Sequence, residues 1–208
     1  MPWVFGYGSL VPAGLGGLPE RAVPCRLGGW RRGWHVAMDN RRDLPGYKHY
    51  RTPEGARPDV MVAFLDIAPR RDGLVNGAAI PVDEAELPAL DRRERNYRRV
   101  DVTGAVDARL DGGPVWAYVG REASRRRAAR GRREGRLVVA RGYLERVVEG
   151  FALLGERATF TRLTEPAGAP VEDLLVVPHA PVAEPRAVTA ARGGRAARPA
   201  AAAAGRDR

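Results

Sequence analysis

Near its start the chain reads Val4-Phe5-Gly6-Tyr7-Gly8-Ser9-Leu10, a strand signal followed directly by a turn signal. The β-branched and aromatic residues of 3–7 predict a short strand, and Gly8-Ser9 predicts the turn that ends it. Two glycines at the end of a strand let backbone N–H groups face outward, so the loop can receive a carboxylate or an oxyanion. A tight turn after an edge strand is the alternative interpretation, since Gly-x-Gly is common and no third glycine completes a dinucleotide fingerprint.

Composition limits the class of protein. With 208 residues, 44% of them hydrophobic, the chain is long enough for one domain with a packed core. No apolar run approaches the roughly 18 residues of a membrane-spanning helix, so no membrane span is expected. The N-terminus lacks a signal-peptide pattern and Cys25 is the only cysteine, which together predict a cytoplasmic protein without disulfides.

The formal charge of +10 raises the question of nucleic-acid binding. Almost every basic residue is an arginine, Lys48 being the only lysine, and the aromatic residues are not interleaved with the arginine clusters as a single-strand binder requires. Nucleic acid is therefore not the expected partner. An arginine-mediated binder of acidic partners stays open as an alternative.

The remaining pattern predicts an α+β fold with a mainly antiparallel sheet, curled into a small barrel. Residues 21–38 are expected to form a strand pair or one long bent strand, and 39–58 a long loop near the site. Strands are predicted at 59–67, 74–82, 98–106 and 114–119, helices at 83–94 and 137–154, an arginine-rich solvated helix or mobile loop at 121–136, and irregular structure at 159–177. One domain is expected over 1–178, followed by a disordered Ala/Arg-rich tail at 179–208.

Glu94 is the strongest candidate for chemistry. On the predicted helix it follows Leu87 and Leu90 with i, i+3, i+7 spacing, so its carboxylate belongs to the apolar face or its rim. A buried carboxylate is costly unless it is paired or used. The alternative is an ion pair with one of the arginines near it in the sequence: Arg93, Arg98 or Arg99.

Metal chemistry is not expected, because the three histidines lie far apart and no Cys/His pair has ligand spacing. A nucleophilic triad through Ser9 lacks the Gly-x-Ser-x-Gly pattern. Cys25 has no partner nearby in the sequence and is interpreted as a structural thiol.

Three segments in order carry a family resemblance. They are Phe5-Gly6-Tyr7-Gly8-Ser9-Leu10, the Leu-Asp-x-x-Glu stretch of 90–100 with its following Tyr97, and Val115-Trp116-Ala117-Tyr118-Val119. Their order and spacing resemble the γ-glutamylcyclotransferase-like (AIG2-like) family over roughly residues 3–155, and the three together are more specific than any one of them.

The resemblance implies a small mixed β-barrel with flanking helices. It implies cleavage of a small-molecule γ-glutamyl amide by the substrate's own α-amino group, which releases 5-oxoproline and an amine or amino acid without metal or organic cofactor. Glu94 is the implied catalytic acid–base. The implied substrate-binding residues are Tyr7, Gly8, Ser9, Leu10, Tyr97 and Tyr118.

Two positions depart from the family pattern. Leu10 stands where many members acting on free γ-glutamyl amino acids have Asn, and Leu is also found in members with other substrates, including the glutathione-cleaving branch. Arg95 stands where a small residue, often Gly, follows the Glu. The substrate therefore stays open among γ-glutamyl amino acids, glutathione, γ-glutamylamines and natural products. A non-catalytic binding module of the same fold is the rival class.

The tail at 179–208 contains almost no large apolar residues and is expected to contribute nothing to the core. Deleting it should leave turnover of the substrate and the melting temperature unchanged. Assays of the full and truncated chains check this, and a large loss of activity on truncation would show that the tail reaches the site.

Overall fold

The computed structural model describes residues 1–13, 22–43 and 47–178 of the chain. In chain order its elements are β1 (Trp3–Gly6), α1 (Leu10–Ala13), β2 (Val23–Asp39), β3 (Lys48–Arg51), β4 (Met61–Pro81), α2 (Leu87–Arg93), β5 (Tyr97–Asp101), β6 (Val115–Gly120), α3 (Glu122–Arg133), β7 (Leu137–Ala140), α4 (Arg141–Leu153), α5 (Arg157–Arg162), β8 (Val171–Glu172) and β9 (Leu175–Pro178). Single 3₁₀ turns lie at Glu84–Glu86 and Thr103–Ala105. The predicted tail lies outside the described residues.

The long strand β4 organises the sheet. One of its edges pairs with β2 antiparallel over almost its whole length. The other edge pairs with β7 in parallel at one end and with β1 antiparallel at the other. The order is β5-β6-β1-β4-β7-β8, with β2 on β4, while β3 and β9 form a separate antiparallel pair. The α+β class with a mixed, mostly antiparallel sheet is thus confirmed, and closure into a barrel stays a prediction.

Both faces of the first half of β4 are covered, as its uninterrupted apolar run predicts. Its alternate side chains Met61, Ala63, Leu65 and Ile67 belong to the main core, which includes Phe151 of α4 and Phe160 of α5. The side chains between them, Val62 and Phe64, point to a second cluster with Tyr50 and Val138. The period of two residues along the strand therefore distributes β4 between two apolar layers.

Residues 21–38 are predicted to form either a strand pair or one long bent strand. The structure shows one long strand, β2. The predicted strands at 59–67 and 74–82 are the two halves of β4. Residues 70–73 join these halves and lie unpaired opposite Gly29, whose φ of 79° favours glycine. The interruption is therefore a bulge within a continuous ladder.

The predicted helix at 137–154 is wrong at its start. Residues 137–140 form β7, whose side chains are all buried and which pairs with β4 and β8, and α4 begins only at Arg141. The β-branched apolar run satisfies its backbone groups against β4, and this tertiary pairing outweighs the helical period that continues beyond it.

Other predicted boundaries also shift. The predicted loop at 39–58 contains β3, and the segment expected to be irregular, 159–177, contains β8 and parts of α5 and β9. The pairing of β3 with β9 joins these two distant segments, so neither shows it alone. The predicted strand at 98–106 ends at Asp101, where a 3₁₀ turn follows.

The arginine-rich segment 121–136 forms the packed helix α3 rather than a solvated helix or loop. Its inner face consists of the small residues Ser124, Ala128 and Gly131, all buried, at i, i+4 and i+7. A Cβ at Gly131 would lie 2.7 Å from the Cβ of Met61. Small residues, not a stripe of large ones, bring this helix close to the sheet.

Gly77 of β4 provides a test of the strand packing. A Cβ there would lie 2.2 Å from the Gly6 carbonyl oxygen and 2.8 Å from the Phe5 ring. Gly77→Ala should destabilise the protein by about 1–3 kcal/mol, the usual cost of overpacking. Urea unfolding measures this, with Gly104→Ala as the matched control because a Cβ at Gly104 meets no atom within 4 Å. Equal stability of the two variants would contradict the close approach of β1 and β4.

Candidate active site

The site lies where one edge of β4 is left uncovered. On this edge β7 pairs only with residues 61–62 of β4, and β1 only with residues 78–81. The carboxyl ends of β1 and β7 therefore approach the middle of β4 along the same edge, from its two ends. Tyrosine hydroxyls replace a neighbouring strand at Leu65. The hydroxyl of Tyr97 donates to the Leu65 carbonyl at 2.8 Å, and that of Tyr143 accepts from the Leu65 N–H at 3.3 Å.

A small inner chamber of about 20 Å³ lies at this gap. That volume is roughly enough for one water-sized group, such as a single oxygen atom of a ligand. The structure brings all seven residues predicted for the site to its lining: Tyr7, Gly8, Ser9, Leu10, Glu94, Tyr97 and Tyr118. Leu65 and Tyr143 complete it.

The tyrosine hydroxyls of the chamber are engaged with the protein. The Tyr7 hydroxyl donates to the Tyr118 carbonyl, and the Tyr118 hydroxyl donates to a carboxylate oxygen of Asp91 at 2.7 Å. Burial raises the pKa of Tyr7, Tyr97 and Tyr143 above the ordinary value. These phenols stay neutral at physiological pH and serve as fixed hydrogen-bonding groups rather than as acid–base groups.

Glu94 lies directly after α2 and lines both the inner chamber and a larger outer cavity. Its side chain is 16% exposed, and its carboxylate makes no hydrogen bond with another described residue. Of the arginines considered as partners, Arg93 alone pairs with it, with Nε 3.5 Å from Oε1, whereas Arg99 pairs with Asp91. Because Arg93 is 50% exposed, this pair is weak. Burial raises the pKa of Glu94, against the lowering effect of Arg93 and Lys48.

Arg32, on β2, supports the loop after β1 from behind. It is fully buried, and its guanidinium donates to the Tyr7 carbonyl at 3.2 Å and to the backbone and side-chain oxygens of Asn76 at 2.8 and 2.7 Å. The centres of the Phe151 and Phe160 rings lie 4.9 and 4.3 Å from the Cζ atom of Arg32. Burial lowers the pKa of Arg32 to about 9, so the group keeps its charge at neutral pH.

The contact with Arg32 fixes the direction of the Tyr7–Gly8 peptide. In a trans peptide the carbonyl and the following N–H point in opposite directions, so the Gly8 N–H points away from Arg32. In the part of the chain that the structure describes, no acceptor takes the N–H of Gly8, Ser9 or Leu10. These three donors are available to an anionic group of a ligand.

The outer cavity has a volume of about 450 Å³ and extends from Glu94 toward β3 and β9. Tyr47 and Lys48 reach it from the segment predicted as a functional loop, and Tyr143 and Arg146 reach it from α4. Sequence reasoning did not assign Lys48, Tyr143, Arg146 or Arg32 to the site. The one signal available was that Lys48 is the only lysine in the chain.

The donor set of the site does not resemble a metal centre. Within residues 1–13, 22–43 and 47–178, no group of three or more His, Cys, Asp or Glu side chains is placed to hold a metal ion. Among the same residues, no helix has the length and apolar character needed to cross a membrane.

The loop after β1, the Glu94 carboxylate and the tyrosines thus line one chamber. The family model described as "Gamma-glutamyl cyclotransferase, AIG2-like" matches residues 4–137. The chain belongs to this family. Comparison with curated proteins finds no match.

Several solved structures are similar to this chain at low sequence identity. A gamma-glutamyl cyclotransferase is 14% identical, with 79% of this chain and 88% of that chain covered and a TM-score of 0.45. An uncharacterized protein from Homo sapiens is 13% identical, with 82% and 92% covered and a TM-score of 0.46. A yeast gamma-glutamyl cyclotransferase specific to glutathione is 14% identical, with 57% and 68% covered and a TM-score of 0.37.

The raised pKa of Glu94 predicts a pH dependence of stability. The folded protein binds this proton more tightly than the unfolded chain, so stability falls as pH rises from the unfolded pKa through the folded one. Glu94→Gln removes the cost of the buried charge and should therefore melt at a higher temperature than wild type at pH 7. The difference in melting temperature between the variant and wild type should shrink as pH falls toward the pKa that Glu94 has in the unfolded chain.

Thermal melts of both proteins across this pH range measure the effect. Glu149→Gln serves as the matched control because Glu149 is exposed on α4, and its melting temperature should follow wild type. A Glu94→Gln variant that is less stable than wild type at pH 7 would show that the ion pair with Arg93 outweighs the cost of burial.

Proposed function

We propose that the protein cleaves a γ-glutamyl amide by intramolecular attack of the substrate's α-amino group, releasing 5-oxoproline and an amine or amino acid. The observation that carries this proposal is the position of Glu94. Its largely buried carboxylate has no hydrogen-bond partner among the described residues and lines both the inner chamber and the outer cavity. Membership of the gamma-glutamyl cyclotransferase, AIG2-like family supports the general activity.

In the first step Glu94 removes a proton from the substrate ammonium, and the amine attacks the γ-carbonyl carbon. A C–N bond forms and the carbonyl electrons move to oxygen. The inner chamber has room for that single oxygen atom, and the available N–H groups of Gly8, Ser9 and Leu10 stabilise the negative charge. The nucleophile and the carbonyl belong to the same substrate molecule. The main entropic cost is therefore that of holding the γ-glutamyl chain of the substrate in a folded conformation.

In the second step the oxyanion electrons return to carbon and the amide C–N bond breaks. Glu94 delivers its proton to the leaving nitrogen, and the proton lost by the new lactam nitrogen completes the leaving ammonium. One carboxyl group serves as base and then as acid, which requires a pKa closer to neutrality than that of a solvated Glu. Burial shifts the pKa of Glu94 in this direction. The proposal needs no metal or organic cofactor.

A non-catalytic module of the same fold would have no use for an ionisable group at this position. A buried carboxylate is costly when it serves no purpose, so its presence favours the enzyme over the binding module. The expected cytoplasmic location stays a prediction.

Replacing Glu94 tests the proposal. Glu94→Gln keeps the shape of the side chain but cannot take up a proton, so release of 5-oxoproline should fall by about 10²–10⁴-fold. Glu94→Asp retracts the carboxyl group by one methylene and should also lose most activity. The measurement is 5-oxoproline release from a panel of γ-glutamyl compounds, with thermal melts alongside and Glu149→Gln as the control that keeps wild-type rates. Normal turnover by Glu94→Gln would make Glu94 a structural residue.

A further inference from the structure

The outer cavity carries an excess of positive charge. Its cationic lining residues, here called the cationic wall, are Lys48, Arg92, Arg93, Arg95 and Arg146. Glu94 is the only carboxylate that lines the same cavity within the described part of the chain. A surface of this sign attracts a ligand that carries several negative charges and disfavours a cationic one.

Lys48 is the member of the cationic wall with the least satisfied charge. It is half-buried on β3, with its ammonium 5.1 Å from the centre of the Phe64 ring and 5.7 Å from that of Tyr50. No carboxylate of the described residues pairs with it. Burial and the charge of Arg146 lower the pKa of Lys48, whereas Glu94 raises it. A half-buried ammonium without a carboxylate is costly, and an anionic ligand offsets that cost.

Lys48 lines the outer cavity and does not line the inner chamber. Glu94 lines both spaces, as do Ser9, Tyr97 and Tyr143. The outer cavity is also lined by Val176 and Pro178 of β9. In the proposed reaction the leaving nitrogen takes its proton from Glu94, so the group attached to that nitrogen extends into the outer cavity.

We propose that the outer cavity binds a carboxylate carried by the leaving amine, with Lys48 as its main partner; this inference rests on the function proposed above. The substrates are then γ-glutamyl α-amino acids and γ-glutamyl peptides, whose leaving groups end in a free carboxylate. A γ-glutamyl derivative of an uncharged or cationic amine brings only the glutamyl carboxylate and leaves the Lys48 ammonium without a partner.

A pair of substrates of equal size isolates this carboxylate. γ-Glutamyl-L-alanine and γ-glutamyl-L-alaninamide differ only in whether the leaving group ends in a carboxylate or a neutral amide. Wild type should show a higher kcat/KM for the acid. Raising the salt concentration should reduce this preference, because a partly exposed charge contact is screened.

Lys48→Met removes the charge and keeps most of the apolar stem. The variant should lose about 10- to 100-fold in kcat/KM on the acid, the range expected for a hydrogen bond between charged groups, chiefly through KM. The loss on the amide should be smaller, because no contact with a leaving-group carboxylate is lost there. Burial raises the pKa of Glu94 and Lys48 opposes that rise. This effect acts on both substrates alike, so the ratio of kcat/KM for acid to amide measures the contact with the carboxylate. Lys48→Arg should retain the preference for the acid. Arg109→Met, an exposed arginine outside both cavities, controls for the change in net charge and should behave as wild type.

The possible outcomes separate the inference from the proposed function. If Lys48→Met leaves the ratio of kcat/KM for acid to amide unchanged, Lys48 does not bind the leaving carboxylate and the inference is wrong while the reaction stands. If wild type releases 5-oxoproline from acid and amide at equal kcat/KM, the cationic wall does not select a carboxylate and the inference is again wrong. If neither substrate, nor any other of the γ-glutamyl panel, releases 5-oxoproline, the proposed function itself fails and the inference with it.

Discussion

Leu65 lies on the edge of β4 that neither β1 nor β7 covers, and its backbone N–H and carbonyl must find partners in a buried place. Tyr97 and Tyr143 supply them from two other elements, at 2.8 and 3.3 Å. A strand in this position would have closed the sheet and left no chamber. The two tyrosine hydroxyls satisfy the backbone groups of Leu65 that a neighbouring strand would otherwise pair with. Space therefore remains beside Glu94 and the loop after β1.

Two cationic side chains near this gap, the buried Arg32 and the half-buried Lys48, have different surroundings. Arg32 is surrounded by neutral acceptors, including oxygens of Tyr7, Asn76, Phe160 and Thr164, and by aromatic rings, so its donors are used within the protein. Its role is to fix the loop. Lys48 has aromatic neighbours but no carboxylate partner within the described residues. Arg32 thus contributes to the fold, whereas Lys48 lines the outer cavity and is available to the proposed carboxylate ligand.

Part of the high positive charge of the chain has an internal structural use. On α3, Arg125 donates to the buried Asp66 at 2.7 Å, and Arg127 donates to the Ala37 carbonyl at 2.8 Å. Arg127 also reaches the amide oxygen of Asn96, two residues after Glu94. These arginines attach a helix with a small-residue inner face to the sheet. Net charge alone therefore gives little information about the partner of this protein.

The sequence by itself determined those features that depend on local pattern. The turn after β1 and the buried run of β4 follow from residue types and spacing. So does the position of Glu94 at the end of the helix that carries Leu87 and Leu90. The class of fold follows from the order of these elements. Leu87 is buried and Leu90 packs beside it, as their spacing predicts.

Tertiary structure alone decided the rest, because it depends on pairings between distant segments. Residues 137–140 form a strand at an edge that β4 offers them, and β3, whose Lys48 lines the cavity, pairs with the distant β9. The support of the loop by Arg32 and the approach of Lys48 to Glu94 follow from these non-local contacts. No local pattern distinguishes such side chains from ordinary surface cations, since their burial is a property of what the fold packs around them.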